Sequence, residues 1–313
     1  MAGARRRPGS HHRPLVFAAV AVILVGLTLV SLRLVPGSPL RPAAASQSAA
    51  TGNARSTGTP TDRNSRPAPS PSPSPSLEPL PFVAQDLDSL GIKGWYAWSV
   101  LDKRTGKIIG SANMAETSTT ASMIKSWIVA DYLRRADENG QTPSAAKLAD
   151  ATKIIRDSDN TRAEQFYNSV GRSASIKRLI SMCELTDSKV ASDGGWSRTN
   201  LSPRDTARLG RCIDDGRAAG PKWTKWLLNE MRLVRGAGDF GIRKAFPANV
   251  QKTIAIKNGW IDRTREQEMH INCLAIGDTW TMGVMVRYPI GMGYDYGMKN
   301  CQKITEALLR PAT

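Results

Sequence analysis

Nine consecutive residues, Ala121-Ser122-Met123-Ile124-Lys125-Ser126-Trp127-Ile128-Val129, constrain this chain more than any other stretch: they are apolar nearly all round, yet they contain a lysine. Entered from the polar Ser118-Thr119-Thr120, the run reads as the start of a helix buried on most sides. Helical spacing puts Ser122 and Lys125 on one face, where their side chains can meet. Lys125 then sits among Met123, Ile124, Trp127 and Ile128 with little water, and desolvation disfavours its ammonium form. Such a lysine can take the proton of a neighbouring hydroxyl, and Ser122 at a helix N-terminus is placed to attack a carbonyl. Spacing alone does not identify this chemistry. Ser144-Ala145-Ala146-Lys147 has the same spacing, but it follows Pro143 and reads as the first turn of an ordinary amphipathic helix.

Three regions are expected along the chain. Residues 1–36 read as a cytoplasmic tail with a membrane anchor or signal: Arg5, Arg6, Arg7 and Arg13 come first without an acid, then Leu15 to Leu32 carry no charge. At 1.5 Å per residue that helix spans about 27 Å, close to the hydrocarbon thickness, which favours a single-pass anchor with the remainder outside the cytoplasm. Ala43-Ala44-Ala45 before Ser46 resembles a cleavage site, so secretion after cleavage stays open. Residues 37–82 are rich in Pro, Ser, Ala, Thr and Gly and read as a disordered, semi-rigid spacer of polyproline II character. Residues 83–313 are expected to form the folded domain.

The whole chain carries a net charge of +16, and the part beyond residue 80 keeps +9 of it. No zinc-finger spacing, RNP-like aromatic string or uninterrupted basic helix accompanies that charge, so nucleic acid is not an expected partner. An anionic membrane or wall surface fits an exported basic domain better. Cys183, Cys212, Cys273 and Cys301 form no Cys-x-x-Cys pair and are expected to make disulfides. Sequence order suggests Cys183 with Cys212 and Cys273 with Cys301, though three connectivities are possible. With His270 as the single histidine beyond residue 80, neither zinc nor another metal is expected, and no cofactor motif is present.

Residues 95–101 and 107–110 read as a hairpin turning at Arg104-Thr105-Gly106. Helical patterns follow at about 122–138, 143–156, 161–170, 174–182, 203–215 and 221–234, then strands at 253–256, 269–276 and 281–288, and a closing helix near 298–309. Strands from both ends of the chain with helices between imply an α+β fold: an antiparallel sheet flanked by helices, with a mostly helical subdomain inserted.

A Ser-His-Asp triad would need His270 as base, and His270 reads as a half-exposed residue of a strand beginning at Met269. Lysine is the base that remains. Arg156-Asp157-Ser158-Asp159-Asn160-Thr161 is a polar interhelical loop that can present a hydroxyl and a carboxamide to a cleft, or simply cap the next helix. Thr253 to Trp260 reads as a strand delivering Lys257 at its end, with Gly259 allowing close backbone approach.

Ser122-Met123-Ile124-Lys125, Ser158-Asp159-Asn160 and Lys257-Asn258-Gly259, in this order, resemble the Ser-x-x-Lys, Ser-Asp-Asn and Lys-Thr-Gly motifs of the class A β-lactamases and penicillin-binding proteins. The resemblance covers about residues 84–313 and implies the β-lactamase/DD-peptidase-like fold. It further implies Ser122 as the acylated nucleophile, Lys125 as its base or base partner, and Ser158 as the relay of a proton to the leaving nitrogen. Asn160 would hold the substrate amide, and Lys257, Asn258 and Gly259 would form the substrate-binding strand. The oxyanion would lie between the N–H groups of Ser122 and Trp260. The implied partner is a cell-wall peptide of the D-Ala-D-Ala type or a β-lactam.

Three features depart from the family pattern. Ser122 and Ser158 are only 36 residues apart, and Asn258 replaces the hydroxyl residue that would contact a substrate carboxylate. Arg263 and Arg265 are candidates to replace that contact. No Glu-x-x-Leu-Asn string lies between the second and third motifs; the segment reads Ala191 to Asn200, where Asp193 either substitutes for that glutamate or, standing before two glycines, is a turn residue. Slow deacylation is therefore expected toward β-lactams, and an efficient β-lactamase is not. The competing expectation is a weak or inactive family member that binds wall material or a partner protein.

Overall fold

The structure, a computed structural model, describes residues 77–310. The expected anchor, the cleavage site at Ala43 to Ala45 and the Pro/Ser spacer up to residue 76 lie outside the described residues. Among the described residues, no helix is long and apolar enough to cross a membrane.

The chain opens with β1 (Trp95–Asp102) and β2 (Ile108–Gly110), joined as the expected hairpin. A two-residue β3 (Ser118–Thr119) leads into a 3-10 turn, Ala121–Ile124, and directly into α1 (Lys125–Glu138). Then come α2 (Ala145–Arg156), α3 (Asn160–Ser169), α4 (Ser173–Met182), β4 (Asn200–Leu201), α5 (Pro203–Asp214), α6 (Pro221–Arg232) and the short α7 (Ala248–Gln251). The sheet resumes with β5 (Ala255–Ile256), β6 (Gly259–Arg263), β7 (Glu268–Ile276) and β8 (Trp280–Pro289), and α8 (Gly293–Leu308) closes the fold.

The main sheet is antiparallel, in the order β2-β1-β8-β7-β5, with β6 following β5 along the same edge of β7. It is built from both ends of the chain, as the order of patterns predicts. β7 and β8 are buried along nearly their whole lengths, since helices cover both faces. Leu274 and its cross-strand partner Gly283 lie under α5, where a Cβ on Gly283 would stand 2.6 Å from the Pro203 carbonyl oxygen. Cys273, one residue away and so on the other face, is bonded to Cys301 of α8. The second disulfide joins Cys183, after α4, to Cys212 of α5. Both pairs follow sequence order, and two disulfides belong to a protein matured outside the reducing cytoplasm.

Several boundaries differ from the sequence reading. Phe82, assigned to the spacer by composition, is buried edge-on against the stacked rings of Phe246 and Trp280, so the folded part begins earlier. β3 and β4 pair only as Ser118–Leu201 and Thr119–Asn200, too short to leave a periodic signal. α8 begins at Gly293 rather than near 298; Gly297 lies so close to Ile271 and Tyr288 that a Cβ would approach both to 2.4 Å, and this packing overrides glycine's poor helix propensity. His270 is buried on β7, not half-exposed.

Helix α1, which carries the buried lysine at its head, is fixed by a polar network at its middle. The fully buried Asp131 accepts hydrogen bonds from Arg134, Arg178 and, at 2.6 Å, Ser175 Oγ, and Trp127 Nε1 donates to Ser175 Oγ at 3.0 Å. These contacts lock α1 to α4. Removing the carboxylate leaves Arg178 without a counter-charge and Arg134 with only the exposed Glu138, so Asp131→Ala is expected to lower stability by about 3 kcal/mol, read as a lower urea midpoint with unchanged slope.

Candidate active site

Ser122 stands on the 3-10 turn that precedes α1. Ala121 before it has φ 47°, a left-handed conformation that a residue with a Cβ adopts only when its surroundings enforce it. The enforcement comes from β3: Thr119 Oγ1 accepts from Arg263 Nε and Nη2 at 3.1 and 3.0 Å and lies 2.8 Å from His270 Nδ1. Asn272 Nδ2 donates to the Thr119 carbonyl at 2.8 Å. Three strand residues thus hold the segment leading to Ser122.

Lys125 is fully buried one turn further on. Its Nζ donates to the Ser158 carbonyl and to Asn160 Oδ1, both at 2.6 Å, and lies 3.3 Å from Ser158 Oγ. The Trp196 ring covers it at 4.9 Å. Burial pushes the lysine down to about 7, against the opposing pull of the Asp159 carboxylate. The oxygens that Lys125 bonds belong to Ser158 and Asn160, not to Ser122, which faces the cleft above.

The Ser158-Asp159-Asn160 loop performs both of the roles open to it. Asp159 is the N-cap of α3, accepting from Arg162 N at 2.8 Å, while its neighbours on either side turn toward the lysine. Ser158 has φ 59°, a second left-handed non-glycine position beside the cleft. Ser144, in the other Ser-x-x-Lys string, is an N-cap for α2 and nothing more.

Lys257 approaches from the opposite side, at the end of β5. It is fully buried, and its Nζ lies 3.1 Å from Ser158 Oγ and 3.3 Å from its neighbour's carbonyl. Burial and then the charge on Lys125 push it well below the usual lysine range. One hydroxyl therefore bridges two amines, and the hydrogen bonds of both amines go to neutral oxygens.

Gly259 lets β6 lie against the turn that carries Ser122. A Cβ there would stand 2.2 Å from the Thr120 carbonyl oxygen and 2.6 and 2.8 Å from the amide nitrogens of Met123 and Ser122. These are backbone atoms with little freedom to move. Trp260 follows and lines the cleft, its ring set edge-on to Phe240 at 5.7 Å.

Asn258 departs from the expected substrate contact. It is 1% exposed, and its amide donates to the carbonyls of Gly238 and Phe240 at 3.1 and 2.8 Å, so it braces the loop against which Trp260 leans. The two arginines proposed for the lost contact do not line the cleft either. Arg263 is buried and also bonds the Ser197 carbonyl at 2.6 Å, and Arg265 is exposed on the turn after β6. Asp193 is a turn residue, its carboxylate accepting from Gly195 N at 2.9 Å. His270, pushed down to about 4 chiefly by burial, is neutral at neutral pH and braces Thr119.

The cleft over these residues encloses about 630 Å³ and is lined by Ser122, Asn160, Glu164, Trp196 and Trp260 among others. Sequence reasoning missed Glu164 and the part played by Trp196. Glu164 lies four residues after Asn160, one helical turn along the same face, and that spacing is the signal that finds it. Among the described residues no group of three or more His, Cys, Asp or Glu is assembled that could hold a metal.

Neither the models of known protein families nor the curated protein sequences give a match to this chain. Solved structures do match. A class A β-lactamase from Bacteroides cellulosilyticus aligns at TM-score 0.57 with 17% identity, covering 70% of this chain and 94% of its own. A β-lactamase from Chitinophaga pinensis aligns at 0.57 with 17% identity, over 69% and 93%. The class A β-lactamase of Mycobacterium abscessus aligns at 0.54 with 15% identity, over 70% and 94%. The chain has the class A β-lactamase fold.

Gly259→Ala is expected to destabilise the protein by about 1–3 kcal/mol, read as a lower denaturant midpoint, because neither backbone segment can yield without breaking its own hydrogen bonds. A crystal structure of the variant is expected to have β6 displaced from the Ser122 turn.

Proposed function

We propose that this chain is an exported serine hydrolase or acyltransferase of the β-lactamase and penicillin-binding type, which forms an acyl-enzyme on Ser122. The observation that carries the reading is the single hydroxyl of Ser158 bridging two desolvated lysines beneath the wall that presents Ser122. A core does not gain stability from two buried amines lacking counter-charges. Perturbed groups gathered under a cleft are instead what proton transfer requires. The fold shared with proteins described as class A β-lactamases brings β-lactams, and the D-Ala-D-Ala-like peptides they imitate, into view as substrates.

In this reading neutral Lys125 takes the proton of Ser122 as its oxygen attacks the carbonyl carbon, by way of the cleft rather than a standing hydrogen bond. The N–H groups of Ser122 and Trp260 receive the oxyanion, since Gly259 lets the two backbones lie in contact. Ser158 passes a proton from the lysine pair to the leaving nitrogen, and Asn160 holds the substrate amide. Lys257 lacks a counter-charge when the cleft is empty; a substrate carboxylate supplies one and favours its ammonium form. The +9 charge beyond residue 80 suits an anionic wall or membrane surface, against which the Pro/Ser segment would act as a spacer.

Intact mass of the full chain, acid-quenched after brief exposure to benzylpenicillin, is expected to rise by one drug molecule, and Ser122→Ala is expected to gain none. An unmodified wild-type protein with the drug left intact contradicts the proposal and favours a binding role for the cleft. The acylation kcat/KM is expected to fall about tenfold per pH unit below about pH 7, because only the neutral Lys125 amine accepts the proton and its midpoint lies there.

A further inference from the structure

The acyl-enzyme reading leaves open which group activates the water that releases the acyl chain. The loop 191–200 turns the Trp196 and Ser197 side of its 3-10 turn to the cleft, while its one carboxylate, Asp193, is tied up in its own turn and faces Arg198 at 3.5 Å. Among the described residues that line the cleft, one carboxylate is present, and it is Glu164.

Glu164 is held in place from two sides. Its Oε2 accepts from Trp196 Nε1 at 2.8 Å, and its Oε1 accepts from Arg172 Nη1 at 2.6 Å. A carboxylate has about four acceptor positions, so two remain for water. The same indole that fixes Glu164 also covers Lys125 Nζ at 4.9 Å. Asn160, whose amide oxygen touches Lys125, stands four residues earlier on α3, about 6 Å along the helix axis. The carboxylate and the lysine cluster are thus one helical turn and one indole apart, with Ser122 on the same cleft wall. A water needs about 30 Å³ of the roughly 630 Å³ enclosed there.

We infer that Glu164 is the general base of hydrolysis in this protein, supplied by α3 instead of by the loop that follows α4. Resting on the acyl-enzyme reading, the step runs as follows. Glu164 takes one proton from a water whose oxygen bonds to the acyl carbon, giving a tetrahedral intermediate. That intermediate collapses with cleavage of the bond to Ser122 Oγ, and the proton is returned to that oxygen. A free acid leaves, and the serine hydroxyl is restored. Trp196 is a positioning residue that aims the carboxylate and shields Lys125 from bulk water.

The test measures formation and decay of the benzylpenicillin adduct by quenched-flow intact mass on the full chain, in wild type, Glu164→Gln and Glu164→Asp. Glutamine keeps an oxygen for Trp196 Nε1 on a half-exposed helix face, and circular dichroism checks the fold. The expected result is an adduct on Glu164→Gln that decays roughly 10²-fold or more slowly than on wild type, with partial recovery in Glu164→Asp. Equal decay in wild type and Glu164→Gln overturns the inference while leaving Ser122 as nucleophile, and assigns water activation to Lys125. Absence of any adduct with the drug intact overturns the acyl-enzyme reading, and this inference with it.

Discussion

Burial of Lys125 without a carboxylate partner is the constraint on which the rest of this molecule turns. An ammonium fully buried at the head of α1 is strongly disfavoured, and the group answers by giving up its proton near neutrality. The surroundings make this condition stable rather than curing it. Ser158 and Asn160 offer dipolar oxygens, and the nearest acid, Asp159, is committed to capping α3 and to Arg162. A second lysine reaches the same serine from the sheet, and the charge on Lys125 adds to burial in making it harder to protonate.

The cluster has to be rigid to matter, and its rigidity comes from elements far apart in sequence. α1 is locked to α4 through Asp131, β3 is gripped by β6 and β7 through Arg263, His270 and Asn272, and β6 lies on the Ser122 turn because Gly259 has no side chain. Strain at Ala121 is maintained by these contacts. Lys125 comes from a helix, Ser158 from the loop before α3 and Lys257 from the end of a sheet strand, so the cluster joins all three kinds of element.

Much of this was legible in the sequence because it rests on local patterns. The apolar run around Lys125, the order of strands and helices and the pairing of cysteines each follow from periodicity or chain order. What was not legible depends on contacts between distant residues. Asn258 looked like a cleft residue from its place in a motif, yet the carbonyls of Gly238 and Phe240 claim its amide. Arg263 lies on the sheet strand beside the cleft, but its guanidinium is spent on Thr119 and Ser197. Glu164 lies on α3 and not in the later loop, and in the sequence only its four-residue spacing from Asn160 marks it. The loop before α3 satisfies both of its readings at once, Asp159 capping the helix while Ser158 and Asn160 face Lys125, which no propensity distinguishes.

The central claim is that Lys125 is a neutral amine at the pH where the protein works, and titrating it directly tests that claim most cleanly. With lysine labelled at Cε, carbon NMR of the wild-type protein beside Lys125→Arg assigns the Lys125 resonance and follows its shift with pH. The account predicts a midpoint near 7, three units or more below the exposed lysines of the same spectrum. A midpoint near 10.5 would mean that the amine stays charged among Ser158, Asn160 and Trp196, and the proposed chemistry of Ser122 would lose its base.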